Sequence, residues 1–263
     1  LDAHRHPDMS YVKAAATSIA KHLHKGMVVT LESTSYPGTT EELVKPILES
    51  SGLKCGQDFY LGFSPERIDP GNSTYNTKNI PKVVGGLGAD AGEIISAMYE
   101  AVLEHKVFRA STPAVAEMAK MLENAYRNVN IGLINEFAIF CNEMGIDIWE
   151  VIEASKTKPF GYAPFYPGPG IGGHCIPVDP CFLNYKANAY GFRFSTIEAS
   201  TEVNDFMPDY CVKRIGHIID RRFHQPLKGS RVLILGIAYK QDINDYRESP
   251  ATRLINKLQT NGA

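Results

Sequence analysis

The sequence lacks the features that mark several common classes of protein. Its five cysteines are odd in number and form no Cys-x-x-Cys pair, which argues against a disulfide framework and a structural zinc site and favours a reducing compartment, the cytoplasm. The formal net charge is only −2, so nucleic acid is not an expected partner. No apolar run reaches the length of a membrane span. The composition is globular, with 44% hydrophobic and 21% charged residues.

Short apolar segments alternate with helical patterns over the first 110 residues. The predicted strands are MVVTL, DFYLGF, KVVGG and KVFRA, with helices expected over about 10–24, 40–51 and 90–103. This alternation predicts an α/β domain with a parallel sheet. MVVTL is followed by STSYPGTT and not by the Gly-x-Gly-x-x-Gly turn that follows the first strand of a dinucleotide-binding fold. Either the domain belongs to another class, or the first half of such a fold lies before this chain.

Long helical patterns fill the middle of the sequence. Apolar residues at spacings of three and four predict one helix over about 113–144, ended by Gly145. These apolar residues are Val115, Met118, Leu122, Ala125, Val129, Leu133 and Phe137. Further helices are expected around Trp149, from Asp179 as N-cap, and through about 204–223.

A third segment follows a boundary near Gln225 and Pro226. Its residues predict a strand at VLILG, then a loop, then a helix that Ser249 caps. The chain starts without a strand and ends where another strand would be expected, so we expect both ends to be cut.

The loop GPGIGGHCIPVDP, residues 168–180, presents Cys175 among glycines and prolines. Glycine lacks the Cβ that would keep a ligand away from the backbone, so this thiol is either a nucleophile or a structural residue. A nucleophile must be a thiolate, which requires a nearby cation or a helix N-terminus. A direct pair with His174 is not favoured because adjacent side chains usually point apart.

Lys120 and Asn124 lie four residues apart and therefore share one face of the predicted long helix, with Glu117 and Asn128 extending the stripe. From spacing alone, a solvated helix face is the favoured interpretation. The alternative is a pair of donors that stabilises an alkoxide or oxyanion. Asp179 is expected to cap its helix, and a capping carboxylate is also able to orient a water or a lysine.

Two further groups of polar residues are candidates for a functional site. Glu66, in SPERIDPGN, is either a base or a turn carboxylate. Lys240, Asp242, Asp245 and Arg247 follow the predicted strand VLILG, and ligands of open α/β sheets bind beyond the carboxyl ends of strands. This position favours a binding site over a random run of charges.

Together these motifs resemble those of the UDP-glucose/GDP-mannose dehydrogenase family. The resemblance covers ESTSYPGTTEE, GFSPERIDPGN, EMAKMLENAYRNVNIGLINE, GPGIGGHCIPVDP and LGIAYKQDINDYRESPA, in family order along essentially the whole chain. It implies a C-terminal half of a Rossmann-like NAD-binding domain over 1–110, a central helical dimerisation domain over 111–224, and the start of a Rossmann-like UDP-binding domain over 225–263. A glycine-rich NAD turn would then lie before Leu1.

The resemblance implies an enzyme that oxidises the C6 alcohol of a UDP-sugar to a carboxylate with two NAD in succession, through a thiohemiacetal and a thioester on Cys175. The other implied catalytic residues are Lys120, Asn124, Asp179 and Glu66. Thr34 and Arg247 would lie near the cofactor. The residues implied in substrate binding are Phe165, Gly168, Gly172, Gly173 and Lys240. The resemblance also implies a homodimer that forms through the long helix. It implies no metal, no nucleic acid and no membrane.

The variants SPERIDPGN and KPFGYAPFYPGPGIGGHCIPVDP are most similar to the branch of the family that acts on UDP-N-acetylglucosamine, so polysaccharide biosynthesis is the expected context. Oxidation of UDP-N-acetylmannosamine or UDP-glucose is an alternative, as is a non-catalytic fragment that binds a nucleotide sugar or dimerises. In the UDP-glucose branch a second glutamate follows the first by four residues. Here Pro70 takes that position, so its role passes neither to Pro70 nor to Asp69.

Overall fold

The computed structural model describes Leu1 and residues 7–263, which form two compact units. The first unit contains residues 1–124 and 178–193, and the second contains residues 125–177 and 194–263. Within the described part of the chain, no helix is both long and apolar enough to cross a membrane.

The helices occupy most of the predicted positions. They are α1 (Ser10–Ala20), α2 (Lys45–Glu49), α3 (Ala89–Glu100), α4 (Pro113–Met144), α5 (Ile148–Lys156), α6 (Asp179–Asn188), α7 (Ser195–Phe223) and α8 (Pro250–Thr260). A π-helical turn, Thr40–Val44, leads directly into α2. The bounds of α4 agree with the prediction because a proline opens this helix and Gly145, with a positive φ of 71°, follows its end.

The first unit contains a sheet with the strand order β1 (Val28–Leu31), β2 (Tyr60–Phe63), β3 (Val83–Gly86) and β4 (Phe108–Ala110). All four predicted strands are present, and the predicted α/β class is confirmed. The pairs β1–β2 and β3–β4 are parallel, but β2 and β3 are antiparallel, so the prediction of a parallel sheet is wrong at this pair. The segment between β2 and β3 contains no helix, and a parallel return usually needs a helical crossover.

The core of this unit is built from large side chains of the strands and of the helices that cover them. Leu48 of α2 packs with Leu61 of β2, and Ile95 of α3 packs with Val84 of β3. Each of these four side chains is completely buried. This core holds the strand ends, and the polar loops that follow β1 and β2, in fixed positions.

Helix α4 buries its polar stripe and exposes much of its apolar one. Lys120 and Asn124 are buried, whereas most of the apolar residues predicted for its packed face are exposed. The exposed ones are Val115, Met118, Leu122, Leu133 and Phe137, and only Ala125 of that set is buried. The interpretation of Lys120 and Asn124 as a solvated face is therefore wrong. Periodicity locates the stripes of a helix, but it does not say which stripe meets the rest of the chain.

In the second unit, α8 packs along α7 through an apolar cluster that includes Val212, Leu254 and Leu258. The predicted cap is confirmed, because Ser249 Oγ accepts a hydrogen bond from Ala251 N at 3.2 Å. Residues 231–237, which include the predicted strand VLILG, form no strand. The alternation is real, since Val232 and Ile234 pack on the cluster while Leu233 and Leu235 are exposed, but none of the described residues pairs with this segment.

Candidate active site

Lys120 is held at the end of β2 in the first unit. Its side chain is 9% exposed, and its Nζ donates a hydrogen bond to the backbone carbonyl of Glu66 at 2.7 Å. The segment containing Glu66 follows β2, so the loop that leaves the sheet meets the helix here. Two of the predicted site residues therefore lie together, although Lys120 contacts the main chain of Glu66 and not its carboxylate.

The carboxylate of Glu66 forms hydrogen bonds within the turn that contains it. Its Oε1 accepts hydrogen bonds from Arg67 N and Ile68 N, both at 2.7 Å. Arg67 in turn donates from Nη2 to Glu123 Oε1 on α4 at 2.7 Å and from Nη1 to Pro81 O at 2.7 Å. The turn-carboxylate interpretation thus describes this geometry, and Arg67 fixes the loop against α4.

Asp179 and Asn124 form a buried pair. Asn124 Nδ2 donates a short hydrogen bond to Asp179 Oδ2, and the carboxyl group is only 2% exposed. Burial raises the pKa of Asp179 to about 6, while the hydrogen bond from Asn124 and the charge of Lys120 act to lower it. Three predicted catalytic residues thus lie close enough to influence one another.

The prediction that Asp179 is the N-cap of its helix is wrong. Val178 occupies the N-cap position, and Asp179 is the first residue of α6, with Pro180 after it. The carboxylate is directed to the amide of Asn124, so it does not fold back on the amide groups of its own helix. Contact with a buried donor is a stronger interaction than an exposed cap, and it decides the orientation.

Glu117 clamps the loop that follows β1. Its Oε1 accepts from Thr40 N at 2.9 Å and from Thr40 Oγ1 at 2.7 Å, and its Oε2 accepts from Gly38 N at 2.5 Å. The side chain is fully buried, and this burial raises the pKa of Glu117. One turn of α4 therefore carries both Glu117 and Lys120, so the loops after β1 and β2 are both attached to the same part of the helix.

The residues on the loop after β1 fit part of a cofactor site. Thr34 is half-buried, and the neighbouring Ser35 is 1% exposed with an Oγ that has no hydrogen-bond partner among the described residues. The loop lies beyond the carboxyl end of β1, which is parallel to β2, and ligands bind at such ends in open α/β sheets. A buried hydroxyl left without a partner there suits a polar atom of a bound dinucleotide.

Cys175 lies in the second unit and its side chain is exposed. The five cysteines are all thiols in the structure. The loop that carries Cys175 begins at Gly168, whose N donates to Asn135 Oδ1 of α4 at 2.9 Å. Phe165, just before this loop, packs edge-to-face on Tyr126, with 5.8 Å between ring centroids.

The glycines next to Cys175 are required by protein packing. A Cβ on Gly172 would lie 2.7 Å from both Pro250 Cδ and Tyr239 Cβ, and a Cβ on Gly173 would lie 3.0 Å from the ring of Tyr239. Gly173 also has a positive φ of 89°. The prediction of bare backbone that a ligand can approach is wrong at these two glycines, because the space is filled by the start of α8 and the segment before it.

The spacing of Gly168, Gly170 and Gly173 matches Gly-x-Gly-x-x-Gly, but its context is not that of a dinucleotide fold. The preceding element is the helix α5, and no strand of the described chain leads into this loop. The match in letters is therefore accidental, as it lacks the strand–turn–helix arrangement that gives the motif its function.

The polar residues after VLILG are linked to the cysteine loop through His174. His174 Nε2 lies 3.6 Å from Asp245 Oδ2, and Arg247 Nη2 contacts the same oxygen at 2.7 Å. The hydrogen bonds and charge of Arg247 hold the pKa of Asp245 well below its usual range. Lys240 is half-buried in this part of the chain. Cofactor contact by Arg247 and substrate contact by Lys240 stay predictions.

Sequence reasoning missed three buried residues that shape these loops. It did not single out Asn135, or Lys82, which is 6% exposed and lies 3.4 Å from Glu32 Oε1 and 3.3 Å from Ser64 Oγ. It noted Glu117 only as part of a polar stripe. A signal was present for Lys82, because Glu32 and Ser64 each directly follow a predicted strand. Asn135 was detectable as a poor helix former that directly follows the apolar residues Leu133 and Ile134.

Comparison with known proteins matches three parts of the chain to known domains. Residues 1–103 match the NAD binding domain of the UDP-glucose/GDP-mannose dehydrogenase family, residues 114–206 match its central domain, and residues 233–263 match its UDP binding domain. The chain belongs to the UDP-glucose/GDP-mannose dehydrogenase family. NAD is accordingly the cofactor of the first of these domains.

Individual relatives agree with this assignment. The chain is 40% identical to UDP-N-acetyl-D-glucosamine 6-dehydrogenase of Pseudomonas aeruginosa, over 98% of this chain and 61% of that protein. It is 34% identical to UDP-N-acetyl-D-mannosamine dehydrogenase of Methanocaldococcus jannaschii, over 99% and 57% of the two chains. The solved structure of UDP-D-ManNAc dehydrogenase from Pyrococcus horikoshii matches with a TM-score of 0.91 and 31% identity, over 99% and 61%. The chain thus spans about three fifths of the length of these relatives.

Proposed function

We propose that the whole protein oxidises the C6 hydroxyl of a UDP-N-acetylhexosamine to the uronic acid in two NAD-dependent steps, with UDP-N-acetylglucosamine as the preferred sugar. The observation that carries this proposal is the buried group formed by Lys120, Asn124 and Asp179. The preference for the glucosamine form is supported by the identity of 40% to a UDP-N-acetyl-D-glucosamine 6-dehydrogenase, against 34% to a mannosamine enzyme. The domain boundaries near residues 110 and 224 belong to the same proposal.

In this proposal Lys120 and Asn124 act as donors to the oxygen of the reacting sugar carbon. Lys120 keeps a compact ammonium in a buried position, where its electrostatic effect is larger than in water. Asn124 holds the carboxylate of Asp179, and that carboxylate, with a pKa of about 6, is mostly ionised at pH 7 and keeps a negative charge near the ammonium. The buried carboxylate of Asp179 thus orients Lys120 and Asn124, and neither charge of the group is exposed.

Cys175 is the proposed nucleophile. After the first oxidation, its thiolate adds to the carbonyl carbon of the aldehyde and the oxygen takes up a proton, which gives a thiohemiacetal. The second oxidation removes a hydride and a proton from this adduct and leaves a thioester. Water then attacks the thioester carbon, releasing the acid and the thiol, with Glu66 and its ordered turn assigned to this hydrolysis. When bound, NAD accepts the hydride in each oxidation.

Thr34 and Ser35 are the residues of this chain assigned to hold the nicotinamide end of the cofactor, with Arg247 near it. The orphaned hydroxyl of Ser35 supports this assignment. Glu117 fixes the loop that bears both residues. The substrate is assigned to Lys240 and to the loop from Phe165 to Gly173, of which Gly168 keeps space on its Cβ side, with the nearest atom at 3.9 Å.

The test is an assay of the whole protein with NAD against UDP-N-acetylglucosamine, UDP-N-acetylmannosamine and UDP-glucose. We expect two NADH for each sugar consumed and the highest kcat/KM with UDP-N-acetylglucosamine. One NADH per sugar with release of an aldehyde would contradict a four-electron oxidation. A higher kcat/KM with another sugar would replace only the substrate assignment.

A matched pair of thiol variants tests the nucleophile. Cys175→Ser should abolish formation of the acid, because an alkoxy ester hydrolyses less readily than a thioester. The control is Cys55→Ser. It alters a thiol of the first unit, whereas Cys175 lies in the second, and it should leave acid formation unchanged. Acid production by the first variant at the rate of the second would remove Cys175 from the mechanism.

A homodimer through α4 and a cytoplasmic location are also proposed. Support for the dimer comes from the apolar stripe that α4 exposes over its full length and from the neighbouring groove of about 650 Å³. This groove is lined by residues of α4 and α5, including Leu133, Phe137 and Ile152. A continuous apolar surface of this kind is typical of a face that another protein surface covers.

A further inference from the structure

A chain of buried amide groups crosses between α4 and α7 in the second unit. Asn135 Nδ2 donates to Asn204 Oδ1 at 2.9 Å, and Asn204 Nδ2 donates to Asn128 O at 3.2 Å. Asn135 is 0% exposed, and Asn204 is 5% exposed. Buried amides of this kind are tolerated only when their donors and acceptors are paired, so each side chain is committed to its partners.

The two helices approach closely where these amides lie. A Cβ on Gly132 of α4 would be only 2.8 Å from Ser200 Cβ of α7. Gly132 lies between Asn128 and Asn135, so the glycine sets a short distance between the helices and the amides bridge it. The position of the Asn135 side chain is therefore determined from both helices.

The same chain of amides ends on the cysteine loop. Asn135 Oδ1 accepts the hydrogen bond from Gly168 N at 2.9 Å, and a Cβ on Gly170 would lie 3.1 Å from Asn204 O. The first residues of the loop thus rest on the junction of α4 and α7. The amide of Asn135 meets both demands, because its oxygen accepts from Gly168 N while its nitrogen donates to Asn204 Oδ1.

We propose that Asn135 is a positioning residue, which holds the start of the loop so that Cys175 is presented in one defined conformation. Its part in the reaction rests on the proposed function above, but its effect on the loop does not. Gly172 and Gly173 anchor the loop on its other side against Tyr239. Cys175 follows Gly173 by two residues, so both anchors lie just before it in the chain, and loss of the first should loosen the loop that leads to the thiol.

The first test uses the 263-residue chain and needs no substrate. In Asn135→Leu, the amide of Gly168 loses its acceptor, so hydrogen exchange over residues 168–175 should be about tenfold faster, while exchange in α8 stays unchanged. The rate of Cys175 alkylation by iodoacetamide should change as well. The matched control is Asn130→Leu, since Asn130 lies on the same helix but donates to Tyr126 O of that helix at 2.7 Å.

If Asn135→Leu does not fold, Asn135→Ser replaces it, because the shorter side chain leaves room for water and still removes the direct bond to Gly168. Faster exchange confined to the loop supports the proposal. Unchanged exchange and alkylation in a folded variant would overturn it, whatever the whole protein catalyses. An equal effect in the Asn130 control would also overturn it.

The second test uses the whole protein and separates positioning from general stability. Asn135→Leu should lower kcat by roughly 10- to 100-fold at a nearly unchanged KM, since misplacement of a reacting group acts on the chemical step. Because Cys175 acts only after the first hydride transfer, the same change in a Cys175→Ser background should leave the rate of that first transfer in a single turnover unchanged. An equal loss in both backgrounds would overturn the role of Asn135 in the reaction. Absence of all dehydrogenase activity in the unaltered protein would instead contradict the proposed function and leave the loop measurement to decide.

Discussion

Lys120 Nζ lies 2.7 Å from the backbone carbonyl oxygen of Glu66, so the buried ammonium is held by the main chain of a loop and not by a carboxylate. A main-chain partner fixes the position of the nitrogen without neutralising its charge. The carboxylate of Asp179 acts on the same region: it accepts a hydrogen bond from the neutral amide of Asn124 and interacts with the charge of Lys120. The group is therefore stable as a folded unit and keeps a cation available for a developing negative charge.

The raised pKa of Asp179 predicts a particular dependence of stability on pH. Its carboxyl has a pKa of about 6 in the folded chain and an ordinary value of 3.8, so the folded state binds the extra proton between these values and unfolding becomes easier as pH rises from about 4 to about 6. Asp179→Asn should remove this dependence and raise the free energy of unfolding at pH 8 by about 2–3 kcal/mol. Urea unfolding at pH 4.5, 6 and 8 measures the difference. The exposed Asp220→Asn on α7 is the control and should give a constant difference, and a constant difference for Asp179→Asn would contradict the assigned pKa.

The clamp at Glu117 predicts a large effect for one hydroxyl group. Thr40→Val removes the donor that lies 2.7 Å from Glu117 Oε1 and should lower the free energy of unfolding by about 1.5–3 kcal/mol, as expected for a buried hydrogen bond to a charged group. Thr17→Val removes a hydroxyl that only contacts Lys13 O of its own exposed helix, and should change stability by less than about 0.5 kcal/mol. Urea unfolding at pH 7 compares the two. Similar changes in the free energy of unfolding for both variants would show that the hydrogen bond from Thr40 to Glu117 contributes no more to stability than the exposed one.

The packing of the cysteine loop predicts opposite outcomes for two glycines. Gly172→Ala places a Cβ 2.7 Å from Pro250 Cδ and should cost about 1–3 kcal/mol of stability, because neither the proline nor the backbone of Glu248 can move easily. Gly168→Ala has its nearest atom at 3.9 Å and keeps the hydrogen bond to Asn135, so it should be tolerated. Thermal unfolding of the chain, followed by circular dichroism, measures both. Equal tolerance would mean that the loop is not fitted against α8.

The exposed stripe of α4 predicts how the chain associates. Leu133→Glu and Phe137→Glu place charges on residues that are each 50% exposed and should weaken self-association about tenfold or more, as expected at the centre of an apolar interface. Tyr190→Glu alters a residue that is 75% exposed outside α4 and should leave association unchanged. Sedimentation equilibrium of the three variants measures this. A fully monomeric unaltered chain would contradict the proposed dimer for this length of chain.

Parts of the fold were predictable where local residues determine them. Pro113 and Gly145 mark the limits of α4, and the spacing of Lys120 and Asn124 places them on one face whatever that face meets. The buried side of α4 was not predictable, because both of its stripes repeat with the helical period. The contact that orients Asp179 was not predictable either, since its partner Asn124 lies 55 residues away in the sequence. Long-range contacts of this kind override the local preference for a cap.

Residues 231–237 carry a consequence for the handling of this chain. The segment alternates between packed and exposed side chains, its leucines at 233 and 235 are 80% and 85% exposed, and its main chain has no ladder among the described residues. A row of unpaired backbone amide and carbonyl groups beside exposed apolar side chains is a template with which another strand can pair. We therefore expect this segment to pair with strands of other copies of the chain in concentrated solution.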